Sequence, residues 1–225
     1  MEGAWVALAL TLKVALWATA LNLLLGVAIG YAMARWRFAG RDVLDAVLTL
    51  PMVMPPTVLG YYLLVLIGSQ GPLGGWLLKS FGIRLIFTWQ GAVIAAMVVS
   101  FPLVFKGARA AFETVDAQLE DAARTLGIHE LGVFFRVSLP LAWRGILAGL
   151  LLSFARALGE FGATLMVAGS IPGRTQTLSI AVYEAVQAGQ DDVANFLVVL
   201  TSITCIAVLL AAGRLVPGRV APREA

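Results

Sequence analysis

Apolar positions in this chain come in long uninterrupted runs, and the polar positions between them are bunched rather than alternating. Four runs carry no charge: Val14–Ala34, Ala46–Leu78, Leu85–Phe105 and Val193–Gly213. Each is at least as long as the roughly 20 residues a helix needs to cross the hydrocarbon core of a bilayer. A fifth stretch, from Ser138 on, is broken only by Arg144, Arg156 and Glu160. The pattern predicts an all-α polytopic membrane bundle with spans at about 5–34, 46–68, 87–105, 139–168 and 193–213. The first span is too long for a signal peptide and lacks a small-residue cleavage pattern, so it is expected to remain in the mature protein. With no linker or internal repeat, residues 1–225 form a single domain.

One polar-rich segment, residues 113–140, interrupts this layout. Within it Leu119, Ala122, Ala123 and Leu126 recur at i, i+3, i+4 and i+7, which predicts one helical face. Glu120, Asp121, Arg124 and Thr125 fall on or near the other side. Asp116 suits the N-cap and Gly127 the left-handed position past the end. Leu131, Phe134 and Phe135 mark a second short helix, and Ser138-Leu139-Pro140 reads as a cap with proline in the first turn of the next span. An ordinary amphipathic loop on the membrane surface would satisfy this periodicity too.

Local signals subdivide the spans. Gly26/Gly30 and Gly145/Gly149 are G-x-x-x-G pairs, which let helices approach closely. Pro51, Pro55 and Pro56 cannot all sit in a regular helix interior. The 46–68 span therefore bends there, either as a simple kink or as a wall of a pathway that includes Pro55, Pro56 and Thr57. The apolar stretch from Gly145 to Ser170 would be about 39 Å long as one helix. That length predicts a tilt, or a break at Gly159–Gly162. Arg156 and Glu160 are spaced to pair. Ionisable groups at membrane depth usually face protein or water, so they are candidates for a structural pair or for a gate, with Thr164 beside them. Gly68–Phe87 reads as an outer loop anchored by Trp76 and Trp89. Residues 177–190 are expected to form an amphipathic helix on the outer face.

Charge refines the topology. The chain is 60% hydrophobic and 13% charged, with a net charge of +3 and a pI near 9.4. The basic residues are not arranged for nucleic acid. Arg35, Arg37, Arg41, Lys106, Arg109, Arg124, Arg136, Arg144, Arg214, Arg219 and Arg223 would share one side. Only Lys79, Arg84 and Arg174 would lie on the other, with Lys13 and Arg156 in or near spans. The positive-inside bias then puts the 113–140 loop and the C-terminus in the cytoplasm and the N-terminus outside. The sequence holds no phosphate-cradling G-x-x-x-x-G-K-[S/T], no H-E-x-x-H and no G-x-S-x-G. Its single cysteine, Cys205, allows no disulfide within the chain, and lone His129 has no partner motif. An ATPase or other enzyme is not expected in this chain, and neither is a resident cofactor or metal.

The spacing inside the loop separates it from a generic amphipathic segment. Asp121-Ala122-Ala123, Gly127 and Val137-Ser138-Leu139-Pro140 resemble the EAA loop of ABC importer permeases. In that family an acidic residue and two alanines precede a glycine, and Ile-x-Leu-Pro follows nine residues later. Asp121 stands where glutamate is usual, and Val137 where isoleucine is usual. The segments Leu50–Tyr61 and Phe154–Thr164 are similar to the LPLVLPPVVxGY and FARxLGEFGAT patterns of the molybdate permeases, a branch of that family. The resemblance implies a type I ABC importer fold in the inner membrane of a bacterial cell. It implies import of molybdate or tungstate by a homodimer, with ATP and Mg held by separate ATPase subunits and cargo delivered by a periplasmic molybdate-binding protein. It casts Leu119, Glu120, Asp121, Ala122, Ala123, Leu126 and Gly127 as the helix seated against the ATPase. A sulfate/thiosulfate permease and a non-transporting membrane scaffold remain as alternatives.

Overall fold

The computed structural model describes residues 2–215, which are helical with no strand among them. Arg219 and Arg223, two of the basic residues expected in the cytoplasm, lie outside the described residues. The first span is a single helix, α1 (Glu2–Arg35). The second is not: α2 (Arg41–Val53) and α3 (Pro56–Ile67) are turned by 114° at Met54-Pro55. Expecting one bent span over 46–68 understated this break. Two adjacent prolines remove both donors that would carry a helix across it, and Met54 and Pro55 take extended conformations instead. Among the described residues four helices are long and apolar enough to cross a membrane, or five if α2 and α3 form one broken span.

The segment read as an outer loop, Gly68–Phe87, contains a short helix, α4 (Pro72–Phe81). Pro72 sits at its first turn, and Gly82, with φ of 67°, closes it in the left-handed conformation. The third span, α5 (Trp89–Glu113), starts at Thr88, whose hydroxyl accepts the Gly91 N–H at 3.2 Å, and extends well past Phe105. The polar loop holds α6 (Ala117–Thr125) and α7 (Glu130–Val133). A π turn (Phe134–Ser138) then joins α7 without a break to α8 (Leu139–Leu158). The fourth span, expected at 139–168, is divided into α8 and α9 (Gly162–Ala168) at the predicted glycines. Next come α10 (Leu178–Gln187), at the expected amphipathic segment, and α11 (Asp191–Leu215).

α5 is the centre of the bundle. A Cβ added at Gly26 would stand 2.8 Å from Val104 Cγ1, and one at Gly30 would stand 2.9 Å from Ala108 Cβ. On an adjoining face of α5, a Cβ at Gly149 would lie 2.8 Å from the Leu103 carbonyl, and one at Gly145 would lie 2.6 Å from Ala111 Cβ. Both expected glycine pairs thus serve to bring α1 and α8 backbone-close to α5. One polar cluster ties the three together. Buried Asn22 of α1 donates through Nδ2 to the Met97 carbonyl at 3.1 Å, Ser100 Oγ at 3.0 Å and Ser153 Oγ at 3.3 Å. At the far end, Leu178 of α10 donates its N–H to Thr11 Oγ1 of α1 at 2.9 Å, and α10 packs through Leu178 and Ala181 on Ala7.

Candidate coupling loop and translocation face

The chain enters α6 as the capping residues predict. The Asp116 carboxylate accepts the Gln118 N–H at 2.9 Å. At the far end Gly127 has φ of 80°, and the Ile128 N–H reaches back to the Ala123 carbonyl at 3.1 Å, closing the helix with a left-handed turn. The faces differ from the expected ones. Only Glu120 and Ala123 of α6 are buried, so Ala123 points into its own chain and Glu120 is not on the solvent side. Leu119 and Leu126 are 50% and 81% exposed, and Asp121, Ala122 and Gly127 stand exposed beside them. Two leucines at this exposure, flanked by a small residue and a glycine, form an apolar face that the bundle leaves uncovered.

Glu120 is held from two directions. Arg35, the last residue of α1, donates to Oε1 through Nη2 at 2.6 Å and Nε at 3.1 Å. Ser138 donates its hydroxyl to the same oxygen at 2.6 Å. Ser138 is therefore not the helix cap that its sequence context suggested. It lies inside a continuous helix, in the π turn, where the Leu139 N–H bonds to the Phe134 carbonyl. Two features account for this. Pro140 cannot donate to the carbonyl four residues back, and a widened turn relieves its ring. Phe134 is also locked between α1 and α5, with its ring centroid 4.8 Å from Tyr31 and 6.0 Å from Phe112.

On the exposed side Arg124 links Asp121 at 2.7 Å to Glu130 at 2.8 Å, fastening α6 to α7. Hydrogen bonds that Arg124 donates to Glu130 and then Asp121 raise its own pKa and lower that of Glu130, so this tie stays charged on both sides. α2 is attached to the same end of the bundle by ion pairs of Asp45 with Lys106 and Arg109, and by Arg41 with Glu113 at 3.1 Å.

The other candidate residues meet where α3 crosses α9. A Cβ at Gly162 would lie 3.1 Å from Pro56 Cβ and 3.4 Å from the Thr57 nitrogen. One at Gly60 would lie 2.8 Å from Met166 Cβ and 2.9 Å from Ala163 Cα. The proline-rich segment and the Phe154–Thr164 segment, about 100 residues apart in the sequence, are thus packed on each other. Pro55, Pro56 and Thr57 are exposed there, whereas Thr164 is 1% exposed and turned into the chain. At the α8–α9 break Arg156 pairs with Glu160 at 2.7 Å. The other Glu160 oxygen accepts the Ala163 N–H at 2.9 Å, so one carboxylate neutralises the arginine and satisfies the start of α9. Arg35, Ser138 and Asn22 were missing from the sequence-derived set. A lone asparagine in the middle of an uncharged run was the available signal for Asn22.

Residues 26–223 match the family described as the binding-protein-dependent transport system inner membrane component. The chain belongs to that family. It is 44% identical over 208 residues to the molybdenum transport system permease protein ModB of Escherichia coli K12, covering 92% of this chain and 91% of that one. It is 42% identical over 179 residues to the sulfate transport system permease protein CysW of Synechococcus elongatus, covering 80% of this chain and 62% of that one. Among solved structures, the MetNI methionine ABC transporter in inward-facing conformations superposes with a TM-score of 0.69 at 20% identity, over 96% of this chain and 93% of that one. This permease has the type I ABC importer fold, and the family places it as a multi-pass component of the inner membrane.

The Arg156–Glu160 geometry generates a prediction. Glu160→Ala should leave a half-exposed guanidinium unpaired and uncap α9, and the lost cap alone costs about 1 kcal/mol. The expected result is a marked loss of folded permease in detergent extracts, or ATP hydrolysis no longer governed by cargo. Parent-like yield, assembly and transport in Glu160→Ala would make the pair peripheral.

Proposed function

We propose that this permease imports molybdate, or its congener tungstate, as a homodimer with two ATPase subunits and a periplasmic molybdate-binding protein. One observation carries the reading. The two segments that resemble the molybdate permeases, Leu50–Tyr61 and Phe154–Thr164, are the ones packed together at the α3–α9 crossing, and the similarity to the Escherichia coli molybdenum permease extends over nearly the whole of both chains. The exposed Pro55, Pro56 and Thr57, with the Arg156–Glu160 pair behind them, form the pathway wall and gate. Thr164 supports that wall from inside. Leu119, Asp121, Ala122, Leu126 and Gly127 meet the ATPase directly, while Glu120 and Ala123 fix the helix that presents them. ATP and Mg belong to the partner ATPase, and this chain holds no cofactor of its own. It works as one transmembrane domain, surrounded by lipid and independent of nucleic acid.

Sulfate is the second reading, favoured by the similarity to CysW, although that match covers a smaller share of the relative. A non-transporting scaffold has lost its support, since the family is one of transport components. A strain lacking this permease should grow poorly when molybdate is limiting and normally when sulfate is limiting. The reverse pattern would transfer the assignment to sulfate.

The orientation proposed has the N-terminus outside and the α6 loop inside. It is supported by the clustering of Arg35, Arg41, Lys106, Arg109 and Arg124 in ion pairs at one end of the bundle. Cysteines introduced at Gln118 and Gln187 should react with a membrane-impermeant reagent in intact cells only at Gln187. Labelling of Gln118 from outside would invert the topology.

A further inference from the structure

We propose that Glu120 is a positioning residue through which displacement of α6 is carried to α1 and to the π turn of α8 together. The proposal rests on reading α6 as the helix met by the ATPase, and goes beyond it by naming the route inward. Glu120 is 1% exposed on a helix that is otherwise largely exposed. A carboxylate is buried this far only when paired, because an unpaired charge there is strongly destabilising. Its partners come from distant parts of the chain. Arg35 ends α1 and supplies two donors to Oε1, while Ser138, 0% exposed, supplies a third at 2.6 Å. Arg124 of α6 itself stands 3.8 Å from Oε2.

The backbone already connects α6 to α5 on one side and, through α7, to α8 on the other. It gives no direct connection to α1, whose last residue precedes Glu120 by 85 residues. The Arg35–Glu120 pair provides that connection. Among the described residues Arg35 donates to Glu120 and, at 3.4 Å, to the Val115 carbonyl just before α6. The Ser138 contact adds a second function. A π turn is a local irregularity in helix register and is frequent at functional sites. Here the hydroxyl within it is bound to the same carboxylate oxygen as the arginine. A push on the exposed leucines of α6 therefore moves Arg35 and Ser138 in concert, and with them two helices that pack on adjoining faces of α5 and on each other.

The test uses the complete transporter in proteoliposomes, with molybdate-loaded binding protein, and reads molybdate taken up per ATP hydrolysed. Glu120→Gln keeps shape and an acceptor but removes the charge. Arg35→Lys keeps the charge but loses the two-donor fork. Both should assemble with the ATPase and hydrolyse ATP, while uptake per ATP falls roughly tenfold, an ordinary size for coupling between sites. A parent ratio in either assembled variant overturns the proposal. So does failure of both variants to accumulate, which would make the cluster a folding element only. Leu126→Glu, on the exposed face away from the cluster, separates the two readings. Retained ATPase association in Leu126→Glu counts against α6 as the docking helix. Lost association there, with a parent ratio in Glu120→Gln, counts against the clamp alone.

Discussion

Lipid tails are as apolar as leucine side chains, so spans gain little by hiding apolar surface from their surroundings and associate where their backbones can touch. In this bundle that contact is concentrated on α5. Gly26 and Gly30 seat α1 against Val104 and Ala108, and Gly145 and Gly149 seat α8 against Leu103, Gly107 and Ala111. The Asn22 amide then joins all three helices by hydrogen bonds that have no aqueous competitor. The remaining elements are placed relative to that trio. α9 lies against α5 and α3, and α6 is suspended from the far end of α5. The geometry of the candidate coupling loop is inherited from a packing that consists mostly of missing side chains.

Three irregularities in the helices coincide with candidate functional elements. The α2–α3 turn and the α8–α9 break are brought together by Pro56 and Gly162, and the π turn lies beside Glu120. Backbone groups released at such breaks need partners in the membrane. Glu160 provides one for Ala163 while remaining paired to Arg156. Among the described residues the buried carboxylates, Glu120 and Glu160, thus each sit at a junction between helices and each hold an arginine. That pattern suits a subunit whose helices must shift as units without exposing an unpaired charge.

Features encoded by adjacent residues were legible in the sequence. Prolines 55 and 56, the glycines at 159 and 162, the Asp116 cap and the left-handed Gly127 all act within a turn or two, and all are found where expected. Features decided by distant residues were not. Periodicity put Glu120 with the polar residues because its partners lie 85 and 18 residues away. Ser138-Leu139-Pro140 has the form of a helix start, but the packing of Phe134 on Tyr31 and Phe112 keeps the helix continuous through it. The Gly68–Phe87 stretch was legible as a loop, yet Pro72 within it begins α4, since proline is as suited to a first helical turn as to a loop.

The central claim is that energy enters this permease through the exposed face of α6. A photoreactive amino acid at Leu126, irradiated in membranes containing the assembled transporter, examines that contact directly. The account predicts a covalent product between this chain and the ATPase subunit from Leu126, and none from the same group at Tyr183, which is exposed on α10. Absence of the Leu126 product in a transporter that still hydrolyses ATP and takes up molybdate would contradict it.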